Sequence, residues 1–349
     1  MYTDSDLENA VTKGIFTRDS VERFRKDYEQ QHASPIVDEE NFRLVSGFND
    51  IFVVVISVVV LLSSFSLFNS MFGDLIGFAV TACAAWGLAE YYIRIRRMAL
   101  PSIVLLLAFI PSATAVMAFL YLSAADIREL PINDLVKESG FVIPLFSLIA
   151  ALAHWLRFRV PVTIALITAA VAATVLAILF TSFPQLSVYL YPMMMVAGGA
   201  VFIFAMVWDI SDTRRVTRRS DVAFWLHLLS APLLMHPLFK IIGVMDGDVS
   251  TSVAAVILGV FVLITLISLL IDRRALMVSS LAYVLYAMNA LFDNVGTLGQ
   301  QLGLTGLIVG CSMVLLTAYW DKARTSLLKP LPDSVSRLLP NKASDGQSS

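Results

Sequence analysis

Long apolar runs alternate with short polar segments from residue 51 to residue 320. Each run approaches the ~20 residues that an α-helix needs to cross a bilayer. The first two runs meet near residues 69–71 and are together too long for one crossing, so a tight hairpin is expected there. The pattern predicts ten transmembrane helices, at residues 51–69, 71–93, 101–122, 141–156, 160–182, 187–208, 222–242, 250–271, 275–293 and 301–320.

Composition agrees with this pattern. Of the 349 residues, 58% are hydrophobic and only 15% are charged. A soluble domain of this length could not bury that much apolar surface, so the predicted fold class is an all-α integral membrane protein that sits in the lipid bilayer. The chain has no basic domain and no basic stripe interleaved with aromatic residues, so nucleic acid is not a predicted partner.

Basic residues give the predicted orientation, because the cytoplasmic loops of membrane proteins carry an excess of lysine and arginine. Alternate connections are rich in them, whereas the others hold only Arg128 and Lys137 among acids, or no basic residue. Both termini are therefore predicted to be cytoplasmic. The basic residues on the cytoplasmic side are Arg94, Arg96, Arg97, Arg157, Arg159, Arg214, Arg215, Arg218, Arg219, Arg273, Arg274, Lys322 and Arg324.

These arginine clusters recur after every second run, and the segments RIRRMALPSIVLLLAF and IDRRALMVSSLAYVLY resemble each other loosely. One interpretation is a repeated two-helix unit, as in many transporters. The other is that topology alone places basic residues there.

The sequence pattern divides the chain into three predicted regions. Residues 1–50 are predicted to form a cytoplasmic helical hairpin and an interfacial segment, with Ser5 and Glu8 as a capping box, Gly14 ending the first helix and Thr17 capping the second. This hairpin has too little core to be stable alone, so residues 3–31 are a candidate surface for a protein partner or for self-association. Residues 51–324 form the transmembrane domain. Residues 325–349 are a proline-containing tail, predicted to be cytoplasmic and disordered.

The N-terminal segment SDLENAVTKGIFTRDS, the stretch NFRLVSGFNDIF and the later FWLHLLSAPLLMHPLF carry a resemblance. Together they are similar to a family of polytopic inner-membrane proteins of alphaproteobacteria that is known as a domain of unknown function. The resemblance covers most of the chain and implies a bacterial inner-membrane location. It brings no catalytic residues with it.

Polar residues inside apolar runs are candidate functional residues by default. His236 and Lys240 are four residues apart in the seventh run, and Asn289 and Asp293 are four apart in the ninth at a similar predicted depth. If these two helices are neighbours, the four residues would form an outward-facing ligand site with a Lys240–Asp293 ion pair. The alternative is that both charged groups reach separately to the membrane surface.

A second candidate group lies on the predicted cytoplasmic side: Glu90, Arg94, His154 and His227, with Asp209 nearby at the end of the sixth run. Glu90 and Arg94 have the spacing and order of a helical ion pair. The alternative for the other members is capping and anchoring at the interface. His227 and His236 are nine residues apart and point to nearly opposite faces of one helix, so they are not expected to share a metal.

Motifs for phosphate, zinc or nucleophile chemistry are absent from the sequence, so no cofactor, no metal and no catalytic residue is predicted, and an enzyme is disfavoured. The predicted function is transport or binding of a small polar or lipid-like ligand in a cavity near the seventh and ninth helices. The competing interpretation is a non-catalytic accessory or assembly protein that recruits partners through its N-terminal hairpin.

Overall fold

A computed structural model describes residue 7 and residues 10–23, 48–125, 140–212, 217–243, 251–291 and 298–330. Within these residues the secondary structure is helical, without β-strands. The chain divides into two compact units, Met1–Arg43 and Leu44–Ser349. The described helices of the second unit are α1 Phe48–Phe72, α2 Asp74–Ala89, α3 Ala99–Ala124, α4 Val142–Phe158, α5 Pro161–Ser182, α6 Leu190–Ile210, α7 Arg218–Ile242, α8 Thr251–Ile271, α9 Ala275–Leu291, α10 Leu298–Ala318 and α11 Trp320–Leu328.

The ten predicted apolar runs coincide with α1 to α10. Among the described residues, seven helices are long and apolar enough to cross a membrane, and an eighth span is added if the bent pair α10–α11 counts as one. The helices α4 and α9 are apolar but shorter. The described residues are thus helical, with several helices that are compatible with a multi-pass membrane protein, whereas the number of ten spans and the side of each terminus stay predictions.

The helix α7 is the central element of the second unit. Half of the residues in its most apolar stretch are buried, against a third or less in the other long apolar helices. It packs against α5, α6 and α9. One apolar core lies among α1 to α5, a second among α5, α6 and α7, and a third among α7 to α10. Since α7 contributes to the second and third cores, its position links the two halves of the bundle.

The contact between α6 and α7 depends on a glycine. A Cβ atom at Gly198 would lie 2.9 Å from the backbone carbonyl carbon of Leu233, closer than real side chains approach. At the neighbouring Gly199, no atom lies within 4 Å of the same position. Small residues let two helix backbones approach each other in membrane proteins, and Gly198 has that role here.

Three connections between helices use a left-handed residue that is not glycine. Arg97 between α2 and α3 has φ 54°, Arg159 between α4 and α5 has φ 53°, and Asp272 between α8 and α9 has φ 56°. Such backbone geometry is uncommon for residues with a side chain. All three lie on the side predicted to be cytoplasmic. The two sequence segments proposed as a repeat contain Arg97 and Asp272, but these residues are at the fourth and the second position of their segments, so the geometry does not support the repeat.

In the first unit, the described residues include two helical segments at 10–12 and 18–23. Gly14 between them has φ 70°, as expected for a residue that ends a helix. The Thr17 hydroxyl accepts a hydrogen bond from the Ser20 amide at 3.2 Å and caps the second segment. The predicted capping box at Ser5 and Glu8 lies outside the described residues.

The start of the predicted tail is helical. The helix α11 includes residues 325–328, the first four residues assigned to the tail. A bend of 67° separates α11 from α10, and Trp320 at the bend is almost fully buried. The buried indole holds this short helix against the bundle. Residues 331–349 lie outside the described part of the chain.

Candidate functional site

Three ionisable side chains from three separate parts of the chain meet inside the bundle: Asp209, His227 and Arg273, here named the buried ionic cluster. Each is at most 2% exposed. The Asp209 carboxylate accepts hydrogen bonds from His227 Nε2 at 2.8 Å and from Arg273 Nη2 at 2.5 Å and Nε at 3.2 Å. A carboxylate only accepts hydrogen bonds, so the Nε2 atom of His227 carries the proton in this contact.

Helix packing brings these groups together. Asp209 lies in the last turn of α6, His227 lies in the third turn of α7, and Arg273 lies in the connection from α8 to α9. The Arg273 amide donates to the Ser268 carbonyl at 3.0 Å, and its guanidinium also contacts the Ser220 carbonyl at 3.4 Å. The guanidinium is therefore held by one residue of α6 and one of α7.

The buried ionic cluster has a defined charge. One carboxylate and one guanidinium cancel, so the cluster is neutral when the imidazole is neutral, and uptake of one proton by His227 would make its net charge +1. Taking an ion pair out of water costs several kcal/mol per ion, which the mutual attraction repays only with good geometry. Ionisable residues inside membrane bundles are typically functional for this reason.

The residues next to Arg273 form a second buried contact. The Asp272 carboxylate accepts a hydrogen bond from Trp320 Nε1 at 2.9 Å and lies 3.7 Å from Arg324 Nε. The Arg274 guanidinium lies over the Trp320 ring, 4.9 Å from its centroid. Three consecutive residues of the α8–α9 connection thus bind α6, α7 and α11, and this connection fixes the basic end of the bundle.

The structure describes the side chains of only two of the four residues in the predicted outward-facing site. The condition that the seventh and ninth helices are neighbours holds, because α7 packs against α9. His236 Nδ1 lies 3.0 Å from the Tyr283 hydroxyl of α9, and the Tyr191 ring of α6 is 6.0 Å away between centroids. Lys240 lies half-buried one turn further along α7. The Asn289 side chain and Asp293 lie outside the described residues, so the proposed Lys240–Asp293 ion pair stays a prediction.

The four residues of the predicted cytoplasmic group separate into different environments. Glu90 pairs with Arg94 at 3.0 Å, in the spacing that the sequence indicated, and also with Arg157 Nε at 2.6 Å. His154 is buried and lies among the rings of Trp86, Phe109 and Phe158, with the Thr163 hydroxyl 3.3 Å from its Nδ1. His227 belongs to the buried ionic cluster.

Sequence reasoning missed Arg273 and the contact between Asp209 and His227. Arg273 was used only as one of the basic residues that indicate orientation, and Asp209 was placed only near the predicted cytoplasmic group. The available signal was an acid at the end of one apolar run, a histidine inside the next, and a basic pair directly after a later run. The described residues hold no group of three or more histidine, cysteine or acidic side chains placed to bind a metal ion.

Comparison with family models, with curated proteins and with solved structures finds no match for this chain. The resemblance to the alphaproteobacterial family thus stays a prediction.

Proposed function

We propose that the chain is a ten-span inner-membrane protein, with both termini in the cytoplasm, that binds and transports a small polar or lipid-like ligand along α7. The buried ionic cluster carries this proposal. It brings a carboxylate and a guanidinium together with an imidazole on the most buried helix of the bundle. Ion-coupled carriers need such groups, and the sequence alone offered few of them.

The composition of α7 supports the proposal that this helix moves during transport. His227 of the buried ionic cluster and His236 of the outer pair are nine residues apart, about 14 Å along a helix axis. Pro232 and Pro237 lie between or next to them inside the helix. A proline removes one backbone hydrogen bond and is a usual site of helix bending. Polar groups at both ends of a proline-containing helix are an arrangement suited to alternating exposure of a ligand.

The second candidate function is a non-catalytic accessory or assembly protein. One observation favours it: residues 1–43 form a compact unit of their own, on which Ile15 and Phe16 are 65% and 49% exposed. Exposed apolar side chains on a small unit would suit contact with a protein partner or with a second copy. The two functions differ in whether α7 changes its environment.

The proposed orientation is tested by labelling single cysteines with a membrane-impermeant maleimide. The background lacks the two natural cysteines, Cys83 and Cys311, because both are exposed. In intact cells, Ser123→Cys at the end of α3 should be labelled, whereas Thr217→Cys before α7 should be labelled only after the membrane is opened. The reverse pattern would show that the termini are on the other side.

Movement of α7 is tested at Ser230, which is completely buried and donates a hydrogen bond to the His227 carbonyl at 2.9 Å. In a carrier, Ser230→Cys should react slowly with a small impermeant thiosulfonate added to either side of sealed proteoliposomes, because each half of the cycle opens one side. The measurement is the rate of labelling from each side.

The matched control is Ser57→Cys on α1, which is 2% exposed and lies in a helix that is not packed against α7. It should stay unlabelled from both sides. If Ser230→Cys is as inert as the control, α7 is static, the transport proposal fails and the assembly function is favoured.

A further inference from the structure

A cleft of about 420 Å³ lies beside the inner end of α2, outside the buried ionic cluster. It is lined by Gly87, Glu90, Tyr91, Arg94 and Ile95. The helix changes character here: Glu90–Ile95 forms a π-turn that continues α2. Such turns insert one extra residue into a helix and are frequent at functional sites.

Two guanidinium groups converge on the carboxylate in this cleft. Arg94 lines the cleft and comes from the same helix. Arg157 is outside the lining; it comes from the last turn of α4 and reaches the cleft through its ion pair with Glu90. Their side chains are 49% and 43% exposed, so both can be reached from outside the protein. Each guanidinium has five N–H donors, and Glu90 accepts from one donor atom of Arg94 and two of Arg157, so donors are left for a further anion.

The surroundings of the cleft are strongly positive. Arg96, Arg97 and Arg159 are exposed, and no ion pair to them is present in the part of the chain that the structure describes. With Arg94 and Arg157, five arginines accompany one glutamate. A single carboxylate cannot neutralise this group, and the excess charge will attract anions.

The rim of the cleft is apolar. Ile95 is 69% exposed and Tyr91 is 44% exposed, and the Arg96 guanidinium lies 5.9 Å from the centre of the Tyr91 ring. Tyrosine and arginine beside exposed aliphatic side chains are typical of the level at which lipid headgroups lie. A soluble anion would use the arginines alone, whereas a lipid would use both the arginines and this rim.

We infer that this cleft binds the phosphate of an anionic phospholipid headgroup, with Arg94 and Arg157 as its ligands. Arginine suits this role because its planar fork can donate two hydrogen bonds to one phosphate. The inference does not depend on transport, because it concerns the end of α2 and α4 rather than α7.

The test is native mass spectrometry of the purified full-length protein in detergent, with phosphatidylglycerol or phosphatidylcholine added. Both lipids carry the phosphate, but the choline cation of phosphatidylcholine would lie among five arginines. We therefore expect phosphatidylglycerol to bind at least about tenfold more tightly. A third sample with inorganic phosphate identifies the source of the anion. If inorganic phosphate displaces phosphatidylglycerol at equal concentration, the lipid assignment is wrong.

Two variants locate the site. The double variant Arg94→Gln/Arg157→Gln should lose the preference for phosphatidylglycerol. Gly87→Leu should lose it as well without any change of charge, because no atom lies within 4 Å of a Cβ at Gly87 and the new side chain would enter the cleft. The second variant keeps the test decisive if the first fails to fold.

Matched controls separate a site from general charge. Arg218→Gln/Arg219→Gln removes two exposed arginines from the start of α7, and Gly199→Leu adds the same side chain at another open glycine. Both should keep full binding. Equal losses in the test and control variants would mean that phosphatidylglycerol responds only to the overall basic surface, and the proposed site would be refuted.

Discussion

Replacing Asp209 by Asn is expected to lower the free energy of unfolding by about 3–5 kcal/mol, among the largest effects of any single substitution in this chain. The change leaves the Arg273 guanidinium buried without its ion-pair partner, while the size and shape of the side chain at position 209 stay almost the same. Arg273→Met should cost a similar amount for the converse reason, because the buried carboxylate keeps only its contact with His227. The measurement is unfolding of the purified protein by titration with sodium dodecyl sulfate.

A double-mutant cycle makes this prediction specific. Asp209→Asn/Arg273→Met removes both charges, so it should destabilise the protein by clearly less than the sum of the two single changes, with a coupling of about 1–3 kcal/mol. The control pair is Asp19–Arg23, which is also within ion-pair distance but is largely exposed. Its single variants should leave the midpoint unchanged. Additive losses at Asp209 and Arg273 would contradict a coupled buried pair.

Gly198→Ala is expected to destabilise the protein by about 1–3 kcal/mol, although alanine is the better helix former. The added methyl group would meet the Leu233 backbone at 2.9 Å, and a backbone cannot move aside as the end of a flexible side chain can. The helices α6 and α7 must separate instead, which loosens the closest contact of the central helix. Thermal unfolding in detergent measures the loss.

Gly199→Ala is the matched control, one residue away in the same helix. Its Cβ meets nothing within 4 Å, so the substitution should leave stability unchanged or raise it by up to about 1 kcal/mol. The two variants have the same composition and the same effect on helix propensity. If both lower stability equally, the close approach of α6 and α7 is not the cause.

The positions of the helices could be read from the sequence because the length of an apolar run is a local property. The ends of the helices were harder to predict. The seventh run was predicted to begin at residue 222, whereas α7 begins at Arg218, because Thr217 accepts a hydrogen bond from the Arg219 amide and extends the helix into charged residues. The π-turn after Ala89 was also missed, since hydropathy does not report which carbonyl a backbone amide binds.

Which residues form the candidate site depends on contacts between distant parts of the chain. Glu90 and Arg94 are four residues apart, so their pairing followed from helix geometry. Asp209 and Arg273 are 64 residues apart, and only the packing of α7 beside α6 and α9 brings them together. An arginine at the end of an apolar run is usually exposed, and nothing local indicates that Arg273 is buried.

His154 illustrates the opposite error. Its place at the end of an apolar run suggested a polar neighbourhood, but Trp86 of α2 and Phe109 of α3 turn their rings towards it. Neither residue is adjacent in sequence, and aromatic residues inside apolar runs carry no sign of what they will contact. Grouping His154 with Glu90 by depth therefore could not reveal its surroundings.

The connections at Arg97, Arg159 and Asp272 also determine how this bundle can deform. Each has only two or three non-helical residues, so three or four Cα–Cα steps join the helix ends and reach at most about 10–14 Å when fully extended. Packed helix axes are already 8–10 Å apart, so such a connection has almost no slack. Each of the pairs α2–α3, α4–α5 and α8–α9 must then move as one rigid helical hairpin, with its connection at the basic end of the bundle. Seven residues join α6 to α7, so these two helices have no such short connection, and packing and the buried ionic cluster hold them side by side instead.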